Sequence, residues 1–369
     1  MERYRNMYLK NNTFRHIKDV SPFMKVACVT FAFLLLICTL SLLLCSCGDK
    51  YEKVIPKSTS DDLRVVMTIG DYEIPLDLYY YYFMNYKNQY DGGDNSYWDD
   101  IETNANKAAE LEEIRASVVE SIKDCAATFD LCLKYDIDPD GKSVKSAVND
   151  VVTDYIENQF GGVEEYLENI ESAYMNDSVF RYIMKYFECQ TRLYQAIIEA
   201  GTIPSDDETV FNYIINGGFC HAKQILIKND EGETPADNFA KAKEALNSVS
   251  TGIDFDTLVA KYGEDMNMIT SPDGYYFTHG ELIEAFEEAA FALDVGEISG
   301  IVESHLGYHI IMRCEIDPEH VVNNFDELKE SYLVSKFREK VSSHAKELPV
   351  TTKPLYDELT LDYLTSYKK

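Results

Sequence analysis

The sequence is short of positive charge. It carries 34 Lys and Arg against 64 Asp and Glu, for a formal net charge of −30. The shortage lies almost wholly outside the first 46 residues, which are net +4 and leave −34 on the remainder. No basic stripe remains to follow a phosphate backbone, which argues against nucleic acid as a partner. The acidic excess reads first as a solubility device. Attraction of basic unfolded chains is the alternative.

The cysteines lack a pattern. Cys28, Cys38, Cys45 and Cys47 fall in the N-terminal segment, leaving Cys125, Cys132, Cys189, Cys220 and Cys314, an odd set with no CxxC pair. That gives neither a disulfide framework nor a zinc site. Cys125 and Cys132 are seven apart on a helical pattern, roughly 10 Å along its axis and too far to bridge. Small buried hydrophobes are the expectation. There is no P-loop, no Ser/His/Asp triad, no internal repeat and no low-complexity tract. Asp136-Ile137-Asp138-Pro139-Asp140-Gly141 opens like an EF-hand loop, but Ser143 and Ala147 occupy its eighth and twelfth positions. An apolar residue and a Glu are required there, so a helix–helix turn is expected instead. No metal and no cofactor are expected.

What is present begins with a membrane signal. Val26 to Leu44 is a run of nineteen mostly apolar residues without a charge, long enough to cross a bilayer. Basic residues precede it and acidic mass follows it, which places the bulk of the chain outside the cytoplasm. The run ends Leu44-Cys45-Ser46-Cys47-Gly48, which resembles the lipobox of bacterial lipoproteins. That resemblance makes Cys47 a lipidated first residue after cleavage of 1–46, with an uncleaved membrane anchor as the alternative. Either way the chain is held at the cell membrane with its mass on the extracytoplasmic face. Residues 47–63 read as a stalk.

Residues 64–202 read as a helical domain. A short strand, Val65–Ile69, meets the turn Gly70-Asp71, and a helix starts near Pro75. It carries Tyr79-Tyr80-Tyr81-Tyr82-Phe83. Successive residues are about 100° apart, so these rings surround the helix and cannot all face one core. They read either as packing between neighbouring helices or as an aromatic groove for clients. Helical patterns follow near Asn106–Tyr135, Val144–Gln159, Val163–Ile170 and Asp177–Glu199.

Residues 203–317 hold a different order. A strand-like run, Phe219–Ile227, is followed by helices after Thr234-Pro235, after Asp254 and at about Glu281–Phe291, with a loop over 263–280. Strands close it near Ile298–Glu303 and Gly307–Ile316. After Pro318, Asn324-Phe325-Asp326-Glu327 reads as a capping box. The helix beyond it places Phe325, Leu328, Tyr332, Phe337, Val341 and Ala345 three to five residues apart. That helix finds no obvious partner in the central stretch, so residues 318–369 are expected to pack on the N-terminal helices. The fold class is α+β: a helical N/C-terminal chaperone-like domain with an inserted domain of small antiparallel sheet flanked by helices.

The central stretch holds, in order, Ala222-Lys223-Gln224-Ile225-Leu226, Lys261-Tyr262-Gly263-Glu264-Asp265, Gly280-Glu281-Leu282 to Phe286, Ala290-Phe291-Ala292-Leu293, Gly296-Glu297-Ile298-Ser299 and Gly307-Tyr308-His309-Ile310-Ile311. In that combination it resembles the parvulin family of peptidyl-prolyl isomerases, within the overall layout of the PrsA-type extracellular foldase lipoproteins. By this resemblance Leu282, Phe286 and Phe291 line a slot for the proline ring. Asp265 stands by the rotating carbonyl, and His309 is the second of the family's paired histidines. There are two departures. The first histidine is Gln224, and the family's Gly-Gly-Asp-Leu-Gly loop is Ser271-Pro272-Asp273-Gly274-Tyr275. The resemblance implies an isomerase and foldase acting on unfolded or newly secreted polypeptides with X-Pro bonds, anchored in lipid through Cys47. A holdase with a weak or inactive rotamase domain is the alternative, and a homodimer is left open.

Overall fold

The computed structural model describes residues 63–229, 234–249, 252–270 and 272–367. The apolar run at 26–44, Cys47 and nearly all of the stalk lie outside them. Among the described residues no helix is long and apolar enough to cross a membrane. The described chain divides into two compact units, residues 63–200 with 339–367 and residues 201–338.

The first unit opens with a hairpin of β1 (Val65–Ile69) and β2 (Tyr72–Pro75). Then come α1 (Leu76–Asp91), α2 (Ala105–Lys134), α3 (Lys142–Asp154), α4 (Val163–Ser172) and α5 (Asp177–Glu199). Asn104 and Asn176 cap α2 and α5 through their side chains, satisfying backbone donors that a helix start leaves open. In α2 the buried Ile114, Val118, Ile122, Cys125, Phe129 and Cys132 recur every three or four residues, one stripe of an amphipathic helix. The pattern expected to run to Gln159 leaves the α-helix at Asp154 and finishes in a π-helical turn, Tyr155–Gln159. Cys125, Cys132 and Cys189 are free and buried. The EF-hand-like segment is a turn between α2 and α3, with Asp140 paired to Lys185 at 3.1 Å.

The rings of α1 are taken up by packing. Tyr79, Tyr80 and Phe83 are buried and Tyr81 and Tyr82 half-buried. Tyr79 meets Tyr356 edge-on, Tyr80 lies between Tyr174 and Tyr367, and the Tyr82 hydroxyl reaches Cys125 Sγ at 3.3 Å.

The second unit starts with α6 (Asp207–Tyr213), capped by Asp206, and then β3 (Cys220–Lys228). It continues through α7 (Pro235–Val249), α8 (Phe255–Tyr262), α9 (Met266–Thr270), β4 (Tyr275–Phe277), α10 (Glu284–Ala292), β5 (Val302–Ser304) and β6 (Gly307–Cys314). The sheet is antiparallel in the order β4-β3-β6-β5. The loop expected over 263–280 therefore contains a short helix and an edge strand. Of the strand expected at Ile298–Glu303, only a bridge from Ile298 to Met312 precedes β5.

Side chains alternate across a strand, and directly opposed residues of an antiparallel pair share a face. On one face Ile225, Ile227, Tyr308 and Ile310 join Ala242, Ala245, Phe255, Leu258 and Met268 from the helices in one core. On the other, Cys220, Ala222 and Ile311 meet Phe277, Phe286 and Ala290. At the β5–β6 turn Gly307 has φ +137°, and a Cβ there would lie 2.0 Å from the Ile227 carbonyl oxygen, so no side chain fits.

After α11 (Pro318–Asn323) comes α12 (Phe325–Glu347), which contributes residues to both units. Its expected apolar residues, Phe325, Leu328, Tyr332, Phe337, Val341 and Ala345, are all buried. Its first turns do find partners in the second unit. Lys329 pairs with Asp207 at 2.7 Å, Tyr332 meets Tyr213 edge-on, and the Ser335 hydroxyl donates to the His279 carbonyl at 3.0 Å. In the first unit His344 reaches Asp130 at 2.5 Å. There β7 (Val350–Thr352) adds to β1, giving the sheet β2-β1-β7, and α13 (Pro354–Glu358) and α14 (Leu361–Ser366) follow.

Candidate active site

The site grows from the register of β3 and β6. Gln224 lies opposite Ile311 and Leu226 opposite His309, so Gln224 and His309 are diagonal neighbours on the α10 face. The His309 ring meets Gln224 Oε1 through Nδ1 at 2.7 Å, and Gln224 Nε2 donates to Asp265 Oδ2 at 2.7 Å. Because the amide NH2 points at a carboxylate, the amide oxygen must face the imidazole. His309 Nδ1 therefore carries the proton, and Nε2 accepts from the Ser304 hydroxyl at 2.6 Å.

Asp265 is placed by its neighbour in sequence. Glu264 N donates to the Leu226 carbonyl at 2.9 Å, and the Glu264 carboxylate accepts from Lys228 N at 2.7 Å. This pins the loop after α8 to β3. Asp265 is then held by Gln224 Nε2, by the Tyr275 hydroxyl at 2.5 Å and by Asn267 N at 3.0 Å. The polar row Ser304–His309–Gln224–Asp265–Tyr275 is continuous.

Burial decides the charge of the row. His309 is 1% exposed. Desolvation lowers its pKa to about 4; the nearby Asp265 pulls it partway back, and His305 pushes it down. The ring is neutral at physiological pH. Burial, together with the hydrogen bond to Asp265 and the charge there, pushes the Tyr275 phenol far up.

An aromatic wall flanks the row. The Phe286 ring meets His309 at 5.8 Å, Phe277 at 5.7 Å and Tyr275 at 6.5 Å between centroids. Phe277 also meets Phe291 at 5.7 Å, and His279 stacks on Phe291 at 3.9 Å. Leu282 is half-buried against the same cluster. Its loop hangs on Glu287, whose carboxylate accepts from Gly280 N, Glu281 N and Leu282 N at 2.9, 2.8 and 2.6 Å.

Asp265, His309 and Gln224 are thus brought together in the structure, and Leu282, Phe286 and Phe291 pack in the apolar cluster beside them. Cys47 lies outside the described residues. Sequence reasoning missed Ser304, Tyr275, His279 and Glu287. The last had a signal, a Glu directly after Phe286 at the start of an otherwise apolar helix face. The others sit in loops or short strands with no local pattern.

Residues 224–315 match the family described as Rotamase: PPIC-type PPIASE domain. The foldase protein PrsA of Geobacillus kaustophilus is 30% identical over 142 residues, covering 38% of this chain and 44% of that protein. The PrsA of Halalkalibacterium halodurans is 25% identical over 210 residues, covering 56% of each. The chain spans about half the length of the curated relatives it matches. The crystal structure of a peptidylprolyl isomerase (PrsA) from Bacillus anthracis is 20% identical, with a TM-score of 0.30, over 62% of this chain and 96% of that one. The stretch around Gln224, Asp265 and His309 thus matches the PPIC-type rotamase domain, in a chain similar to the PrsA foldases.

Proposed function

We propose that this protein is an extracytoplasmic peptidyl-prolyl cis-trans isomerase and foldase for unfolded or newly secreted polypeptides with X-Pro bonds. The observation that carries it is the fixed row Ser304–His309–Gln224–Asp265–Tyr275 running beside the ring of Phe286. Prolyl isomerisation needs no nucleophile. Its barrier of ~18–20 kcal/mol is lost amide resonance, and each tenfold in rate takes about 1.4 kcal/mol of selective stabilisation. A planar amide carries partial negative charge on its oxygen, and twisting removes it. An apolar slot disfavours the planar, polarised form. A carboxylate beside the carbonyl oxygen penalises that form further. Phe286, Leu282 and Phe291 supply the slot and Asp265 the charge. His309 and Gln224 hold Asp265 in register and transfer no proton.

In this reading the rotamase domain, residues 203–317, is inserted in a client-holding helical domain made of residues 64–202 and 318–369. The division of the described chain into residues 63–200 with 339–367 and residues 201–338 supports an insertion, with the inserted unit running on through residues 318–338. Cys47 is the lipid attachment point, supported by Leu44-Cys45-Ser46-Cys47 after the apolar run. Cys47→Ala abolishes lipid labelling and leaves the precursor uncleaved; normal processing of that variant would sink the lipoprotein assignment.

Gln224 in the place of the family's first histidine favours one second reading, a holdase whose rotamase domain only binds. A protease-coupled proline-peptide assay separates the two. Isomerase function requires a rate above the uncatalysed reaction, and binding of proline peptides with no such rate assigns the holdase.

A further inference from the structure

One residue from each of the two departures from the parvulin pattern reaches the same atom. Gln224 Nε2 and the Tyr275 hydroxyl both donate to Asp265 Oδ2, at 2.7 and 2.5 Å. Tyr275 stands opposite Ala222 in the β3–β4 pair, which turns its ring to the α10 face with Phe277 and against Phe286. The residue before it cannot share this role. Gly274 has φ +90°, and a Cβ there would come within 2.7 Å of the Ala222 carbonyl oxygen and 3.0 Å of Lys223 Cγ. In this backbone the family's apolar loop residue has no room, and the next side chain occupies the wall.

We propose that Tyr275 is a positioning residue for the isomerase reaction, holding the Asp265 carboxylate toward the turning carbonyl with its hydroxyl while its ring walls the proline slot. The proposal rests on the isomerase reading above. The polarity of the row supports it. Ser304 donates to His309, His309 to Gln224, and Gln224 to Asp265, so every hydrogen bond runs toward the carboxylate. Gln224 offers Asp265 one donor from one side. The Asn267 amide takes the other oxygen, Oδ1. Tyr275 fixes Oδ2 from a different strand, so the carboxylate cannot turn about its last bond without losing a donor. The phenol stays protonated at physiological pH, since burial and the neighbouring carboxylate both oppose its ionisation.

The test is a double-mutant cycle on the full chain, read as kcat and KM for a proline peptide. Tyr275→Phe keeps the wall and removes the donor. It is expected to lower kcat about fivefold with KM within twofold. Tyr275→Leu also opens the wall and should raise KM in addition. In an Asp265→Ala background, Tyr275→Phe should change kcat less than twofold, because in this role the hydroxyl acts through the carboxylate. A loss of packing would instead carry over undiminished into that background. Wild-type kcat in Tyr275→Phe, or an equal loss with and without Asp265, overturns the assignment. A wild-type chain with no catalysed rate overturns the isomerase reading and this role with it, a result separate from either of those. A downfield hydroxyl proton resonance present in the wild type and absent from Tyr275→Phe and Asp265→Ala checks the bond itself, and its absence from the wild type also overturns the assignment.

Discussion

The two faces of the β3–β6 pair come from the same strands, yet they do different work. Odd-numbered residues of β3, Ile225 and Ile227, enter a core closed by α7 and α8. Even-numbered ones, Ala222, Gln224 and Leu226, face α10, where His309 and Asp265 join Gln224 in a buried polar row. The first face is dry around Ile225 and Ile227, with Lys223 paired to Asp256 at its end. The second buries an amide, an imidazole and a carboxylate, which is tolerable only because each is hydrogen-bonded. One face is thus built for stability and the other holds its polar groups in fixed orientations.

The largest effect expected from breaking this contrast is on the dry face. Ile225 is fully buried, and Ile225→Ala removes both buried surface and its packing, for a loss of about 3 kcal/mol. Urea unfolding should show the drop, while kcat/KM of the folded fraction stays within about twofold of wild type. A fall in kcat/KM matching the Asp265 variants would mean the faces are not separable.

Proton binding sharpens the contrast, because the polar face buries an imidazole. The unfolded His309 ring has an ordinary pKa of 6.5 and the folded one about 4. Between these values the unfolded state binds a proton that the folded state refuses. Stability is therefore full above about 6.5, falls as the pH drops, and levels off near 4, when the folded ring also protonates. The span corresponds to about 3 kcal/mol at most. Many carboxylates titrate in the same range, so the readout is a difference: urea midpoints of wild type and His309→Gln should converge from pH 7 down to pH 4. Parallel curves would show that the ring is not held neutral by burial.

The faces also differ in how legible they were from sequence. The strand runs Phe219–Ile227 and Gly307–Ile316 were readable from their apolar content, while the division of their residues between two cores came only with the structure. Gln224, Asp265 and His309 were reached only through resemblance, because their meeting depends on a register that no local pattern encodes. Tyr275 was hidden in a loop punctuated by Pro272 and Gly274, and β4 forms there only because β3 offers an edge. β7 was hidden for the same reason. Val350, Thr351 and Thr352 are all exposed, and pairing with β1 is what makes them a strand. The α5 boundaries agree from first to last residue, since Asn176 and Gly201 mark both ends in the sequence itself. The tyrosines of α1 showed the opposite problem. Their period told that the rings surround the helix but not what would cover them, and Tyr174, Tyr356 and Tyr367 lie far along the chain.

The smallest expected effect tests the chemistry of the polar face directly. Asp265→Ala removes the acceptor at which the row ends, leaving Gln224 Nε2 and the Tyr275 hydroxyl without the partner that orients them. If the carboxylate disfavours the planar amide, kcat/KM should fall about tenfold, equivalent to about 1.4 kcal/mol of transition-state stabilisation. Gln224→His should change it less. An imidazole can replace the amide as donor to Asp265, and the row already contains a neutral ring that moves no proton. With His309 neutral and Gln224 unable to titrate, wild-type kcat/KM should stay nearly flat from pH 6 to 8. A rise in that range tracking an imidazole would show that a histidine proton takes part. A larger loss in Gln224→His than in Asp265→Ala would move the centre of catalysis away from the carboxylate.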